Sequence, residues 1–218
     1  MNYDAVVFDN DGVLLDLTGE ETHRAGARDA FEAVGVTDPD PADVEAMSIG
    51  VTVPELTAVC DRYGLDVERF WRARDRALSE RQRDLMRAGH KRPYDDVGHL
   101  DRLSRPLGVV SSNQQATVEF AYDHFGLAGH FETVRARPPT VESLRRKKPD
   151  PHYVEAALSE LGVESALYVG DSEHDVEAAH AAGVDAAFLR RPHTRGRTLS
   201  VDPEHDLSGL DEVAALFD

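Results

Sequence analysis

Short apolar runs recur along the chain, and polar or small residues follow each of them. Four such runs are evident, at residues 5–8, 107–110, 166–169 and, more weakly, 186–189. Continuous apolar runs of this length are typical of strands buried on both faces, as in parallel sheets. The pattern therefore predicts four buried parallel strands.

Helical periodicity occupies the stretches between the later strands. Residues 114–126, for example, place Val118, Ala121, Tyr122 and Phe125 on one face. Residues 151–161 and 174–182 behave in the same way, and a glycine follows each of them closely as a stop signal. Alternating strands and helices predict an α/β fold: a Rossmann-like parallel sheet core with helices on both faces.

The interval between the first two strands is far longer than a strand–helix–strand crossover requires. Its surplus consists of successive helical patterns, at residues 20–34, 54–63 and 67–88. We therefore expect an all-helical cap domain at residues 17–92, inserted into a catalytic core formed by residues 1–16 and 93–218.

Charge and composition restrict the possible partners and location. The chain has 41 acidic and 24 basic residues and a formal charge of −17, which disfavours nucleic acid and anionic membranes as partners. No apolar run approaches the roughly 20 residues of a membrane span, and the N-terminus lacks the pattern of a signal peptide. A single cysteine, Cys60, fits a reducing, cytoplasmic environment.

Most of the basic residues are arginines, since only Lys91, Lys147 and Lys148 are lysines. An acidic, lysine-poor surface is typical of halophilic proteins, in which carboxylates keep the surface hydrated in brine. A GC-rich genome would also favour arginine over lysine, so both interpretations stay open.

Polar side chains follow three of the predicted strands at their carboxyl ends, where ligands bind in open parallel sheets. Each group alone would be an ordinary turn or helix N-cap. The groups are Asp9-Asn10-Asp11-Gly12, Ser111-Ser112-Asn113 and Gly170-Asp171-Ser172 with Asp175, and Lys148-Pro149 precedes the helix leading to the last strand. Several carboxylates at one sheet edge repel each other unless a cation lies among them, and such an oxygen-rich site suits Mg²⁺.

These four motifs, in this order, resemble those of the haloacid dehalogenase superfamily of aspartyl-phosphate phosphohydrolases. The branch is the one with a helical cap between the first two motifs, which includes phosphoglycolate phosphatases and β-phosphoglucomutases. The resemblance extends from residue 4 to about residue 190.

The resemblance implies a role for each motif residue. Asp9 would be the nucleophile, Asp11 the general acid and base, and Ser111 and Lys148 the groups that hold the phosphoryl oxygens. Further phosphate contacts would come from Asn10, Gly12, Ser112 and Asn113. Mg²⁺ would bind the Asp9 and Asp171 carboxylates and the Asp11 backbone carbonyl, while Asp175 would orient a metal-bound water or Lys148.

The resemblance also implies a small phosphorylated metabolite as substrate, of the phosphoglycolate or sugar phosphate type, and a monomer or homodimer. A phosphotransferase or phosphomutase of the same superfamily is the main alternative. Asp11 disfavours a 2-haloacid dehalogenase, since those enzymes lack an acid there. The early position of Asp9 and the helical insertion disfavour a phospho-receiver module.

Two basic segments stand out from the acidic background. Residues 69–92 hold nine basic and three acidic residues, and residues 135–148 hold six and one. We interpret the first as a solvated helix with ion pairs between successive turns. The second leads directly into Lys148, and we expect it to guide an anionic substrate to the site.

Overall fold

The computed structural model describes residues 3–217, and its centre is a six-stranded sheet in which every neighbouring pair is parallel. The strand order is β3-β2-β1-β4-β5-β6. The strands are β1 (Ala5–Phe8), β2 (Leu107–Gln114), β3 (Thr133–Arg137), β4 (Ala166–Gly170), β5 (Asp185–Leu189) and β6 (His205–Leu207). The predicted α/β fold with a Rossmann-like parallel sheet is confirmed.

Helices cover both faces of this sheet. The α-helices are α1 (Glu20–Ala33), α2 (Pro41–Ala46), α3 (Val53–Tyr63), α4 (Val67–Arg87), α5 (Gln115–Phe125), α6 (Glu142–Arg145), α7 (His152–Leu161), α8 (Glu173–Ala181) and α9 (Leu210–Ala215). Side chains of β1 alternate between the two faces. Val6 and Phe8 belong to a hydrophobic cluster shared with α5 and α9, whereas Ala5 and Val7 belong to one shared with α7 and α8.

The helical insertion, residues 17–92, contains α1 to α4. It supplies most of a third hydrophobic cluster, which Val141 and Leu144 of the segment around α6 complete. Phe31 of α1, Leu56 of α3 and Phe70 and Trp71 of α4 are among its buried members. The side chain of Thr52 caps α3 in a capping box with Glu55. The predicted helices at residues 20–34, 54–63 and 67–88 correspond to α1, α3 and α4.

The two segments that connect the sheet to the insertion, residues 14–16 and 92–94, lie side by side. The Asp16 amide donates to the Arg92 carbonyl at 2.9 Å, and the Tyr94 amide donates to the Leu14 carbonyl at 3.0 Å. The predicted domain boundaries, after residues 16 and 92, fall at this crossing. Residues 1, 2 and 218, which the predicted core range also includes, lie outside the described residues.

Two strands were not predicted, and both lie at an edge of the sheet. β3 has the sequence Thr-Val-Arg-Ala-Arg, in which polar residues interrupt the apolar pattern, and β6 is only three residues long. Edge strands are paired on one side only and need no continuous apolar run. Among the described helices, none is both long and apolar enough to cross a membrane.

Helices α1 and α4 approach each other closely at Gly26. A Cβ atom at this position would lie 3.1 Å from the Leu78 Cα and 3.3 Å from the Leu78 Cβ. Glycine lowers helix propensity, so its place in the middle of α1 is explained by this contact between backbones.

We expect Gly26→Val to destabilise the protein by about 1–3 kcal/mol, because the added side chain would overpack the contact between α1 and α4. Urea denaturation would measure the change in the free energy of unfolding. Gly129→Val is the matched control, since no atom lies within 4 Å of a Cβ built at Gly129. Equal effects of the two substitutions would contradict the packing explanation.

Candidate active site

The predicted site residues lie at the carboxyl ends of the three central strands, β2, β1 and β4, which are neighbours in the sheet. Asp9 directly follows β1, Ser111 lies in the last part of β2, and Asp171 directly follows β4. Lys148 comes from the segment between α6 and α7. Strand order thus brings together residues that are distant in the sequence.

Lys148 and Asp9 form a buried ion pair at the centre of this edge, with 2.7 Å between Lys148 Nζ and Asp9 Oδ1. The same ammonium group donates to Asp175 Oδ1 at 2.5 Å and to the Tyr168 hydroxyl at 3.0 Å. Burial raises the pKa of Asp9 well above its ordinary value, and the Asp175 and Asp171 carboxylates add to this effect while Lys148 opposes it. Lys148 therefore offsets the cost of burying an ionised Asp9 only in part.

Asp171 lies near Asp9 and is buried as well. Burial, followed by repulsion from Asp175, raises the pKa of Asp171 to about 7. Its Oδ2 atom contacts His193 Nε2 at 2.5 Å. His193 belongs to a short 3₁₀ turn after β5, and the sequence analysis did not single it out.

Asp175 is almost fully buried, and both of its carboxylate oxygens have partners. Oδ1 accepts from Lys148, and Oδ2 accepts from the backbone amides of Asp171 and Ser172 at 3.2 and 3.0 Å and from the Ser172 hydroxyl at 2.6 Å. Ser172 and Asp175 together form the capping box of α8. Asp175 thus holds the loop after β4 and the Lys148 side chain in place.

Asp11 faces a different pair of groups. Its Oδ1 atom accepts from Lys91 Nζ, and its Oδ2 atom accepts from Asn113 Nδ2 at 2.8 Å. Burial raises the pKa of the Asp11 carboxyl, but Lys91 and the hydrogen bonds to the carboxylate outweigh burial, so that the pKa lies below its ordinary value. Asp11 is therefore held in its ionised form.

Gly12 lets the loop after β1 lie against the loop after β4. Its φ angle is +88°, a conformation that residues with a side chain rarely adopt. A Cβ atom at Gly12 would also overlap Asp171 Oδ2. The turn itself is closed by the Asn10 carbonyl, which accepts from the amides of Leu14 and Leu15 at 2.9 Å each.

The remaining predicted phosphate contacts lie on β2. The Ser111 hydroxyl is buried and accepts from the Asn113 amide at 3.1 Å, and the Ser112 carbonyl accepts from Arg137 Nε at 3.4 Å. The Asn113 side chain joins Asp11 to the helical insertion, since Gln82 of α4 donates to its Oδ1 atom at 3.1 Å.

Lys91 and Gln82 are site residues that sequence reasoning missed. Both lie in the helical insertion, and both are about 1% exposed. Lys91 also donates to the Asp16 carbonyl at 2.5 Å and to the Thr18 hydroxyl at 3.1 Å, and that hydroxyl donates to Gln82 at 2.8 Å. A lysine in an otherwise arginine-rich segment was the one available signal. The insertion thus contributes directly to the surroundings of Asp11.

Asp9, Asp171 and Asp175 each offer a carboxylate oxygen within 4.8 Å of the others. Because Lys148 and the loop after β4 already occupy both oxygens of Asp175, Asp9 and Asp171 are the carboxylates better placed for a cation. Burial first, and then the neighbouring carboxylates, raise the pKa values of Asp9 and Asp171, and a hard divalent cation would stabilise their ionised forms. The donor set therefore fits an oxygen-preferring metal such as Mg²⁺.

The profile of the haloacid dehalogenase-like hydrolase family matches residues 6–189. The chain belongs to this family. The resemblance predicted from the four motifs is thereby confirmed, together with the expectation of a hydrolase.

Curated proteins with similar sequences bear phosphatase names. The chain is 29% identical over 141 residues to the pyrophosphatase PpaX of Bacillus velezensis, a match that covers 63% of each chain. It is 27% identical to the fructose-1-phosphate phosphatase YqaB of Escherichia coli, over 86% of this chain and 97% of YqaB. It is 26% identical to the phosphoglycolate phosphatase of Chromobacterium violaceum, over 98% and 95% of the two chains.

Solved structures share the fold over nearly their whole length. A structure from Lactobacillus plantarum matches with a TM-score of 0.69 at 19% identity and covers 100% of both chains. CbbY of Rhodobacter sphaeroides, solved in complex with phosphate, matches with a TM-score of 0.65 at 22% identity and covers 94% of this chain and 93% of CbbY.

The raised pKa of Asp171 predicts how stability depends on pH when no metal is bound. Because the pKa is about 7 in the folded chain and about 3.9 in an unfolded one, the folded state is increasingly penalised as pH rises from 4 to 7. We expect Asp171→Asn to remove this penalty. In EDTA at pH 8, the substitution should raise the free energy of unfolding by about 1–3 kcal/mol.

Urea denaturation in EDTA at pH 5 and pH 8 would measure this effect, with the exposed Asp123→Asn as the matched control. The gain from Asp171→Asn should be clearly smaller at pH 5. A gain that is equal at both pH values would contradict the assignment of the penalty to Asp171.

Proposed function

We propose that the protein is a Mg²⁺-dependent phosphatase that hydrolyses a small phosphorylated metabolite through an aspartyl-phosphate on Asp9. The observation that carries this proposal is the Asp9–Lys148 ion pair, which lies beside Asp171 and two residues from a second carboxylate, Asp11. A carboxylate nucleophile, a cation beside it and a separate acid are the groups that this route needs. The phosphatase names of the relatives support the same substrate class.

In the first step, a carboxylate oxygen of Asp9 attacks phosphorus, and the bond between phosphorus and the ester oxygen breaks. Lys148 is placed to balance the negative charge that spreads over the phosphoryl oxygens, and the Ser111 hydroxyl is a further donor for them. Amides in the loops after β1 and β2, around Asn10, Gly12, Ser112 and Asn113, are further candidates for phosphate contacts.

Asp11 supplies the proton for the leaving alkoxide and later takes one from the water that hydrolyses the acyl phosphate. The contact with Lys91 favours the carboxylate form of Asp11, which is the form required in the second step. The first step requires the protonated form, so the contact between Lys91 and Asp11 has to loosen before the ester bond breaks.

Mg²⁺ would be held by the Asp9 and Asp171 carboxylates and the Asp11 carbonyl, with Asp175 positioning Lys148 rather than binding the ion. When bound, the ion supplies the positive charge that allows an anionic phosphate to approach an anionic nucleophile. We further propose that residues 17–92 form a cap domain over the core, since they supply most members of one hydrophobic cluster and contact Asp11 through Lys91.

We expect Asp9→Asn to abolish phosphate release, because an amide cannot act as the nucleophile. Asp11→Asn should lower kcat by about 10²- to 10⁴-fold, the usual contribution of a general acid–base residue. Release of inorganic phosphate from a panel of phosphorylated metabolites would measure both, with Asp123→Asn as a control at an exposed position. Activity retained by Asp9→Asn would disprove the assignment of the nucleophile.

Removal of divalent cations should abolish activity, because Lys148 alone would then have to offset the charges of Asp9, Asp171 and the substrate phosphate. Phosphate release would be measured after treatment with EDTA and again after addition of Mg²⁺ in excess. We expect full recovery on Mg²⁺ addition, whereas unchanged turnover in the chelator would rule out the metal.

A further inference from the structure

The turn after β5 brings a histidine to the edge of the candidate metal site. His193 lies in the 3₁₀ turn Pro192–Thr194, and its Nε2 atom is 2.5 Å from Oδ2 of Asp171. The Asp171 side chain is 10% exposed and that of His193 is 26% exposed, so the contact lies at the boundary between the site and solvent. It joins a carboxylate that we assign to the metal to a side chain outside the four motifs.

Neighbouring contacts hold the turn that carries His193 in place. The guanidinium of Arg191, the residue before the turn, forms a bidentate ion pair with Asp96, at 2.7 and 2.9 Å, and donates to the Val13 carbonyl at 2.6 Å. The Thr194 hydroxyl accepts from the Arg191 amide at 2.9 Å, and the Thr194 amide donates to the Arg191 carbonyl at 3.0 Å. The position of His193 is therefore fixed from two sides, by its own turn and by the loop after β1.

Oδ2 of Asp171 is enclosed by this histidine and by the same loop after β1. A Cβ atom at Gly12 would overlap Asp171 Oδ2 and would lie 3.1 Å from His193 Nε2, so both atoms lie against one glycine. Asp171 is also one of the three carboxylates that each offer an oxygen within 4.8 Å of the others. With Oδ2 engaged by His193, Oδ1 is the Asp171 oxygen that is left for a cation.

The direction of this hydrogen bond follows from the charge of the carboxylate. A carboxylate that holds a metal ion is ionised and can only accept hydrogen bonds. Nε2 of His193 therefore carries a hydrogen in the metal-bound protein and donates it to Asp171 Oδ2. Hydrogen bonds of this kind orient the ligands of protein metal sites, and their loss usually costs about 10- to 100-fold in metal affinity or activity.

Engagement of Oδ2 limits Asp171 to one ligand oxygen, and this limit affects divalent cations differently. Mg²⁺ requires a compact, near-octahedral set of ligands, and the two oxygens of one carboxylate lie too close together to fill two of its positions. Ca²⁺ is larger, accepts more oxygens and often binds both oxygens of one carboxylate. A hydrogen bond that holds back Oδ2 therefore penalises Ca²⁺ more than Mg²⁺.

We propose that His193 is a positioning residue for the metal ligand Asp171, and that it holds back Oδ2 so that the site selects Mg²⁺ over Ca²⁺. This inference rests on the Mg²⁺ site of the proposed function and adds to that site a residue outside the four motifs. The His193 ring does not itself bind the ion, because the hydrogen on its Nε2 atom points to Asp171.

The test measures the dissociation constants of Mg²⁺ and Ca²⁺ by calorimetry, on metal-free protein without substrate. We expect His193→Phe, which keeps a ring but removes the donor, to weaken Mg²⁺ binding about tenfold. Ca²⁺ binding should stay equal or become tighter, so that the ratio of the two constants changes at least tenfold. His193→Gln, whose amide can donate at a similar reach, should restore most of the preference for Mg²⁺. An equal loss for both ions would indicate a structural role alone and would overturn the proposal, as would unchanged constants.

Two further variants serve as controls for the binding measurement. His174→Phe removes another histidine near the site, since His174 precedes Asp175 in the chain, and its side chain is 66% exposed. It should leave both dissociation constants unchanged, and a change equal to that of His193→Phe would contradict the assignment to His193. Asp171→Asn should weaken the binding of both ions, and binding that survives this substitution would show that the ions bind elsewhere.

The wild-type protein offers a second measurement that needs no substitution. Nuclear magnetic resonance of isotope-labelled histidine, recorded with Mg²⁺ bound, identifies which ring nitrogen of His193 carries a hydrogen. We expect a hydrogen at Nε2, and a ring with hydrogen at Nδ1 alone would overturn the proposal. This measurement decides the matter if His193→Phe folds poorly by circular dichroism.

Metal binding and turnover together separate this proposal from the proposed function. If the wild-type protein binds no Mg²⁺, both the Mg²⁺ dependence and this role of His193 fail. If it binds Mg²⁺ but releases no phosphate from a panel of phosphorylated metabolites, the phosphatase function fails and the role of His193 is still judged by the two dissociation constants. If Mg²⁺ binds and supports turnover while His193→Phe keeps the wild-type selectivity, the role of His193 alone fails.

Discussion

Repulsion among buried carboxylates is the constraint on which the rest of the site depends. Asp9, Asp171 and Asp175 lie together at one sheet edge, and like charges in such surroundings are stable only with compensation. Lys148 supplies part of it through ion pairs with Asp9 and Asp175. The capping of α8 supplies another part, because it turns Asp175 towards backbone amides. The negative charge of Asp9 and Asp171 is not fully compensated by these groups. This remaining charge makes the carboxyl edge of the sheet suited to a cation and, with the cation, to a phosphate.

The insertion extends the same electrostatic arrangement rather than merely covering it. Lys91 compensates Asp11, and Gln82 reaches Asp11 through Asn113. On the neighbouring side, Asp75 of α4 is held by Arg137 of β3. Polar contacts therefore join the insertion to the sheet, and one of them involves the group that we propose as the acid.

The buried strands and the motif residues could be predicted because their signals are local. A continuous apolar run predicts β1, and Asp9 is placed by being the residue that follows it. Lys91, Gln82, His193 and Arg137 could not be assigned in this way, because their roles come from contacts across long separations in sequence. Lys91 lies 80 residues from Asp11, and Arg137 lies 62 from Asp75. Periodicity also could not show which arginines of residues 69–92 and 135–148 are exposed and which, like Arg74 and Arg137, are buried.

The paired crossing at Leu14–Asp16 and Arg92–Tyr94 has a consequence for how such a chain can change over time. Since the chain segments that leave and re-enter the core are hydrogen-bonded neighbours, the two ends of the insertion lie close together. The intervening helices can be lengthened, shortened or exchanged without shifting the register of β1 against β2. Selection can therefore alter the helices between the two ends of the insertion, while the register of the sheet and the contact of Lys91 with Asp11 at one of these ends are kept.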